Sequence, residues 1–219
     1  CPAGYTAVTP TAPLFAACVP AVPAQGSCPT GYVAITPVAP TFAACAPAGN
    51  TGVLGTGEGD MTTFSEVASK DSTLEENKVN ELFAFTSEID GDVLVDRVDF
   101  YLDSTAASTE SENAEDYFKN ASLWINGTKV STVDVGAFTE DSYGKTTGVT
   151  GDGDQYRVRF TGLNSVFKDG DKPKFVIAFE ANTSIDSGDL AEIWGVALVS
   201  DSVRFVDGKG FSESTGSAL

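Results

Sequence analysis

Three residue patterns in this chain have types and spacings that could do chemistry. Four cysteines stand at Cys1, Cys18, Cys28 and Cys45, so that each successive pair encloses the same length of chain. Three Asp-Gly-Asp triplets occur, at Asp90-Gly91-Asp92, Asp152-Gly153-Asp154 and Asp169-Gly170-Asp171. Asn120, Asn126 and Asn182 each begin an Asn-x-Ser/Thr tripeptide, the acceptor pattern for N-glycosylation. The cysteines most simply close one loop each, Cys1 with Cys18 and Cys28 with Cys45. A loop of that size contributes about 3 kcal/mol against the unfolded chain. The other two pairings stay open, since spacing alone does not choose among them. Zinc competes less well, because the thiols lack the close Cys pairs of structural zinc sites. Cys1 has a second reading as the lipidated first residue of a mature lipoprotein, against its plain role as the repeat partner of Cys28.

The triplets also carry two readings. Carboxylates two positions apart on a turn can converge on calcium, which takes about six to eight oxygen ligands. Asp and Gly are equally the ordinary residues of strand connections. Calcium is therefore the one cofactor the sequence admits, and none is required. Trp124 and Trp194 could stack against a sugar, but both fall within strand patterns where sheet packing accounts for them. Paired carboxylates also serve glycoside hydrolysis, yet with 31 acidic residues such pairs arise by chance.

Histidine is absent from the 219 residues. That removes Ser-His-Asp and Cys-His nucleophilic catalysis and imidazole metal ligation. Against the 31 acids stand 13 bases, a formal charge of −18. Such a chain repels nucleic acid and anionic lipid, so neither is an expected partner. No reaction is announced, and the expectation is a protein that is not an enzyme.

The elements that must position these residues fall into two parts. Residues 1–57 contain no Asp, Glu, Lys or Arg, so all the charge lies in residues 58–219. The uncharged part holds the four cysteines and every proline but Pro173. It is built on a repeat: residues 1–18 read CPAGYTAVTPTAPLFAAC and residues 28–45 read CPTGYVAITPVAPTFAAC. Pro10, Pro13, Pro37 and Pro40 forbid a long helix and favour extended or polyproline-like backbone. The same prolines exclude a membrane span, and no signal-peptide pattern of basic start and apolar core is visible. Gly52, Gly55, Gly57 and Gly59 read as a flexible joint to the acidic part.

Beyond the joint the period is two. Tyr156, Val158 and Phe160 alternate with Arg157, Arg159 and Thr161. Phe175, Ile177 and Phe179 alternate with Lys174, Val176, Ala178 and Glu180. Val98, Phe100 and Leu102 oppose Arg97, Asp99 and Tyr101. Asn126-Gly127 marks a tight hairpin, because a type I′ turn needs positive φ at both centres. About nine strands and at most one helical turn near residues 112–118 are predicted. The fold class is all-β: an immunoglobulin-like antiparallel β-sandwich with a Phe-rich core (Phe83, Phe85, Phe100, Phe160, Phe175, Phe179), preceded by an extended Cys/Pro-rich repeat arm.

The segments LFAFTSEIDGDVLVDRVDFYL, YFKNASLWINGTKVSTVDV, YRVRFTGLNSVFKDGD and SVRFVDGKG resemble the Ig-like domains of S-layer and other cell-surface structural proteins of Patescibacteria. The resemblance spans residues 81–210. The Cys-Pro-x-Gly-Tyr units resemble spacers found beside such domains. What this implies is a structural protein of the cell surface. Disulfides agree with an extracellular setting. An uncharged arm bearing Tyr, Phe and Val is an association surface. The expected partners are therefore other copies of the chain, assembled into a layer or filament, with surface glycans as a further partner. A virion tail or capsid-decoration protein, and a glycan-binding adhesin module, are the alternatives.

Overall fold

Alternating apolar side chains gain burial only if the backbone is extended and one face of each strand meets another sheet. The described strands of the acidic part satisfy this condition. The structure, a computed structural model, describes residues 54–104, 113–140, 155–190 and 193–219 in full. In the arm it describes the backbone of residues 5–8, 17–20, 32–35 and 44–47. The chain divides into two compact units, Cys1–Ala46 and Pro47–Leu219.

In the first unit, β1 (Tyr5–Val8) pairs antiparallel with β2 (Ala17–Pro20), in the register Tyr5↔Pro20 to Val8↔Ala17. β3 (Tyr32–Ile35) pairs with β4 (Ala44–Pro47). Each strand of the second pair lies at the repeat offset from its counterpart in the first. The sequence repeat is thus a repeat of one two-stranded sheet.

The second unit carries eleven strands among its described residues, two more than the alternation predicts. One sheet has the order β5 (Asp60–Glu66), β6 (Val79–Asp90), β12 (Lys174–Ala181), β8 (Phe118–Ile125), β9 (Thr128–Asp134). The other runs β10 (Thr139–Glu140), β11 (Gln155–Phe167), β7 (Val93–Ser104), β14 (Val203–Asp207), β15 (Ser212–Thr215). Here β13 (Trp194–Ala197) also pairs with β7. All pairings in both sheets are antiparallel. The free side of β7 is shared: β13 covers Tyr101–Ser104 and β14 covers Val93–Val98. The backbone breaks between them at residues 198–202, where Ser202 Oγ accepts from Val199 N at 3.0 Å. One helical turn, α1 (Ala114–Tyr117), lies where the sequence places it. At Asn126-Gly127 both φ angles are positive, 50° and 80°, as the hairpin requires.

The two sheets share one core. All six predicted phenylalanines are buried in it, joined by Tyr117, Phe118, Phe167 and Phe205. Phe85 and Phe175 face each other across β6 and β12 with ring centroids 4.7 Å apart and planes 6° from parallel. Phe100 meets Phe83 and Phe160 edge-on at 6.0 and 6.2 Å, linking one sheet to the other. Each buried ring stabilises the fold by about 1.5–3 kcal/mol. On β12, Val176 and Ala178 are buried as well, although the alternation turns them outward. β12 is the central strand of its sheet, and Trp124 stands directly opposite Val176 on β8.

Candidate functional site

Two of the three acidic triplets meet. β6 turns into β7 through Asp90-Gly91-Asp92, and β11 turns into β12 through Asp169-Gly170-Asp171. Gly91 N donates to Asp169 Oδ1 at 3.0 Å, and Asp169 N donates to Asp92 Oδ1 at 3.3 Å. Gly170 N donates to Ile89 O, and Ile89 N donates to Asp171 O. Lys168 N donates to Asp171 Oδ2 at 2.8 Å. Asp92 Oδ2 receives both Lys168 Nζ at 2.7 Å and Gly55 N at 2.9 Å. The Lys168 ammonium, with the amides of Asp169 and Gly55, holds the Asp92 carboxyl below the usual carboxylate range. These carboxylates fasten two turns and the incoming chain to one another. A calcium ion on Asp92 would compete with the lysine. Among the described residues no three Asp, Glu, Cys or His side chains converge in metal-ligand geometry. Asp152 and Asp154 lie outside the described residues.

The same end of the unit changes the reading of the glycine-rich joint. A Cβ on Gly59 would stand 2.3 Å from Asp92 O, and one on Gly208 would stand 2.1 Å from Gly55 O. At Gly91, with φ +75°, it would meet Glu58 O at 2.2 Å. Gly59, Gly91 and Gly208 therefore permit backbone-to-backbone packing, and Gly55 packs against the Asp92 side chain. This part of the joint is clamped to the acidic unit, although a Cβ on Gly57 would meet nothing within 4 Å.

The three acceptor asparagines occupy unlike environments. Asn120, within β8, donates from Nδ2 to Glu180 Oε2 at 2.9 Å. Together with Lys119 it holds the Glu180 carboxyl below its ordinary range. Asn182 donates from Nδ2 to Glu115 O at 2.8 Å. Asn126 stands exposed at the hairpin tip, its Oδ1 accepting from Lys174 N at 2.9 Å. The four cysteine side chains lie outside the described residues.

Charge is arranged in a way that alternation alone does not reveal. All four arginines of the chain sit on the outer side of the sheet containing β7. Arg159 grips Asp99 with two bonds, Nε to Oδ1 at 2.9 Å and Nη2 to Oδ2 at 2.7 Å. Arg97 Nε approaches the same carboxylate at 3.5 Å, and Arg204 pairs with Asp96. Asp99 is only 3% exposed. The visible signal was Arg157 and Arg159 on the polar side of one strand. Their pairing with β7 was not visible.

The two tryptophans separate. Trp124 lies half-buried on the outer side of its sheet, donating to Ser122 Oγ at 3.0 Å with Lys129 Nζ 5.9 Å from its ring. Trp194 packs edge-on against Tyr117 and Phe118, at 5.2 and 5.5 Å. It forms one wall of a cleft of about 440 Å³ with Leu74, Leu82, Tyr117, Phe118 and Val196. The strands β6 and β13 and the loops at residues 69–74 and 185–190 position this lining. Sequence reasoning missed the cleft, although Trp194 itself was singled out.

No helix among the described residues is long and apolar enough to cross a membrane. No protein-family model matches the chain. No curated protein matches it. Among solved structures the chain is similar to the one described as "AvmM Catalyzes Macrocyclization in Alchivemycin A Biosynthesis". That likeness has 8% identity, covers 74% of this chain and 87% of that one, and has a TM-score of 0.35. A similarity at this level does not bear on chemistry.

Proposed function

We propose that this chain is a non-enzymatic structural protein of the cell exterior, which assembles with other copies of itself into a surface layer or filament. Its N-terminal arm makes the contacts between subunits, and the acidic unit, an immunoglobulin-like sandwich, forms the solvated body. The observation that carries this reading is the duplicated two-stranded sheet of the arm. A two-stranded sheet of four-residue strands is marginal by itself in water. The outer edges of a two-stranded sheet are a template for further strands. Residues 1–57 carry no charged side chain, so the arm itself brings no like-charge repulsion to such addition. Two equivalent units allow one chain to engage two neighbours, and a head-to-tail contact that does not close builds a polymer. The resemblance read from the sequence of residues 81–210 to surface domains of Patescibacteria points the same way.

The test is negative-stain electron microscopy of the full chain and of a chain lacking residues 1–46, with and without reductant. The cut spares Gly55 and its bond to Asp92. Ordered polymers from the full chain alone, diminished by reductant, are expected. Polymers from the truncated chain, or a monodisperse full chain under every condition, would refute the proposal.

A further inference from the structure

The cleft beside Trp194 has a composition that narrows its ligand. Its walls are aromatic and aliphatic, and its remaining lining is the hydroxyls of Ser69, Ser72 and Thr73 with the carboxylates of Asp71 and Asp189. Asp71 Oδ2 already accepts from Glu81 N at 2.9 Å. No Lys or Arg is among the described lining residues, so an anionic ligand has no counter-charge there. At the rim, Leu190 and Ile193 are 65% and 66% exposed, apolar surface that the core of the unit does not cover.

We infer that this cleft receives a proline-rich segment from the arm of a second copy of the chain. Each repeat unit carries one Pro-x-x-Pro element, Pro10 to Pro13 and Pro37 to Pro40. Such segments preform a polyproline helix and dock into aromatic-lined grooves, because little conformational entropy remains to be lost. Four residues at a rise of about 3.1 Å span about 9 Å, and the cleft volume falls in the range of about 300–1,000 Å³ typical of ligand sites. The arm is uncharged, so docking it brings no ion of its own into the cleft. Phe15 and Phe42 follow the two elements closely and supply apolar contact for Leu190 and Ile193. With two elements on one chain, the second raises the effective concentration for rebinding at a cleft.

This inference rests on arm-mediated assembly and names its receptor. The receptor for the test is the full chain carrying Pro10→Ser, Pro13→Ser, Pro37→Ser and Pro40→Ser, so that its own arm does not compete. The probe is a synthetic peptide of residues 7–15, titrated calorimetrically beside the same peptide with both prolines replaced by serine. Saturable binding of the first peptide and none of the second is expected. Leu190→Asp and Ile193→Asp, each at an exposed position that spares the core, should each weaken binding at least about tenfold. Absence of saturable binding, or binding indifferent to Leu190 and Ile193, overturns the inference. Glycan-array binding lost with the same two substitutions would assign the cleft to a saccharide and overturn it equally. If the peptide fails while removal of residues 1–46 abolishes polymers, the arm reading stands and only the cleft assignment falls. Polymers from the truncated chain defeat the arm reading itself.

Discussion

Replacing Gly91 by alanine tests whether the base of the arm is clamped to the acidic unit. Two penalties apply at this position. The residue has φ +75°, where an L-side chain costs about 1–2 kcal/mol. Its Cβ would also lie 2.2 Å from Glu58 O and 2.9 Å from Gly59 Cα, so backbone must move by several tenths of an ångström or more. Overpacking against groups that yield poorly costs about 1–3 kcal/mol. The loss of unfolded-chain freedom offsets about 0.4–1 kcal/mol. The net expectation is a loss of about 2–4 kcal/mol. Gly170 is the internal control: its φ is +81°, but a Cβ there meets nothing within 4 Å. Gly170→Ala should therefore cost only about 1 kcal/mol, from the dihedral alone. For a unit of this size each kcal/mol shifts Tm by about 2–4 °C. Gly91→Ala should thus melt roughly 5–10 °C below Gly170→Ala by circular dichroism. Should the segment of residues 55–59 peel away instead, the Gly55 amide, bonded to Asp92 in the intact protein, would lose its hydrogen-exchange protection. Equal melting of the two variants, with Gly55 exchange unchanged, would refute the clamp.

Asp99→Asn keeps the shape but removes the charge gripped by Arg159. Breaking a fully buried pair costs about 3–5 kcal/mol. The Arg159 side chain is 40% exposed and regains water, so about 2 kcal/mol is expected from urea denaturation; a change under about 0.5 kcal/mol would contradict the assigned pairing. Acid stability offers a third check. Lys172 and Thr63 hold Glu88 low, Lys168 holds Asp92 low, and Asn120 with Lys119 holds Glu180 low. A folded pKa below the unfolded value contributes stability that is complete above about pH 4–5 and is lost as pH falls through the lowered folded values. Protonation of the many other acids relieves repulsion at the same time, so the informative quantity is a difference. Lys168→Met should lose stability at neutral pH and converge on the wild type toward pH 2; parallel urea-midpoint curves across the acid range would sink this assignment.

Much of the architecture was legible because it follows from neighbouring residues. Tyr156, Val158 and Phe160 point one way and Arg157 and Arg159 the other in any extended strand, so the β class, the predicted core phenylalanines and the hairpin at Asn126-Gly127 could be read directly. The repeat places two equivalent units in the arm before any fold is known. Misreadings occurred where a position depends on what lies beside it. Val176 and Ala178 are buried because β12 is central in its sheet, a fact of strand order. Gly55 and Gly59 read as freedom, yet a Cβ at either would collide with Asp92.

What the sequence by itself determined is the division of the chain: an uncharged, duplicated, proline-rich arm and an acidic β unit without histidine. What only the tertiary structure decided is convergence. Gly91 and Asp169 are 78 positions apart, Arg159 and Asp99 are 60 apart, and the cleft gathers side chains from residues 69 to 196. Side-chain direction repeats every two residues and is a local property, whereas which turns, charges and aromatic walls meet is set by the order in which distant strands pair.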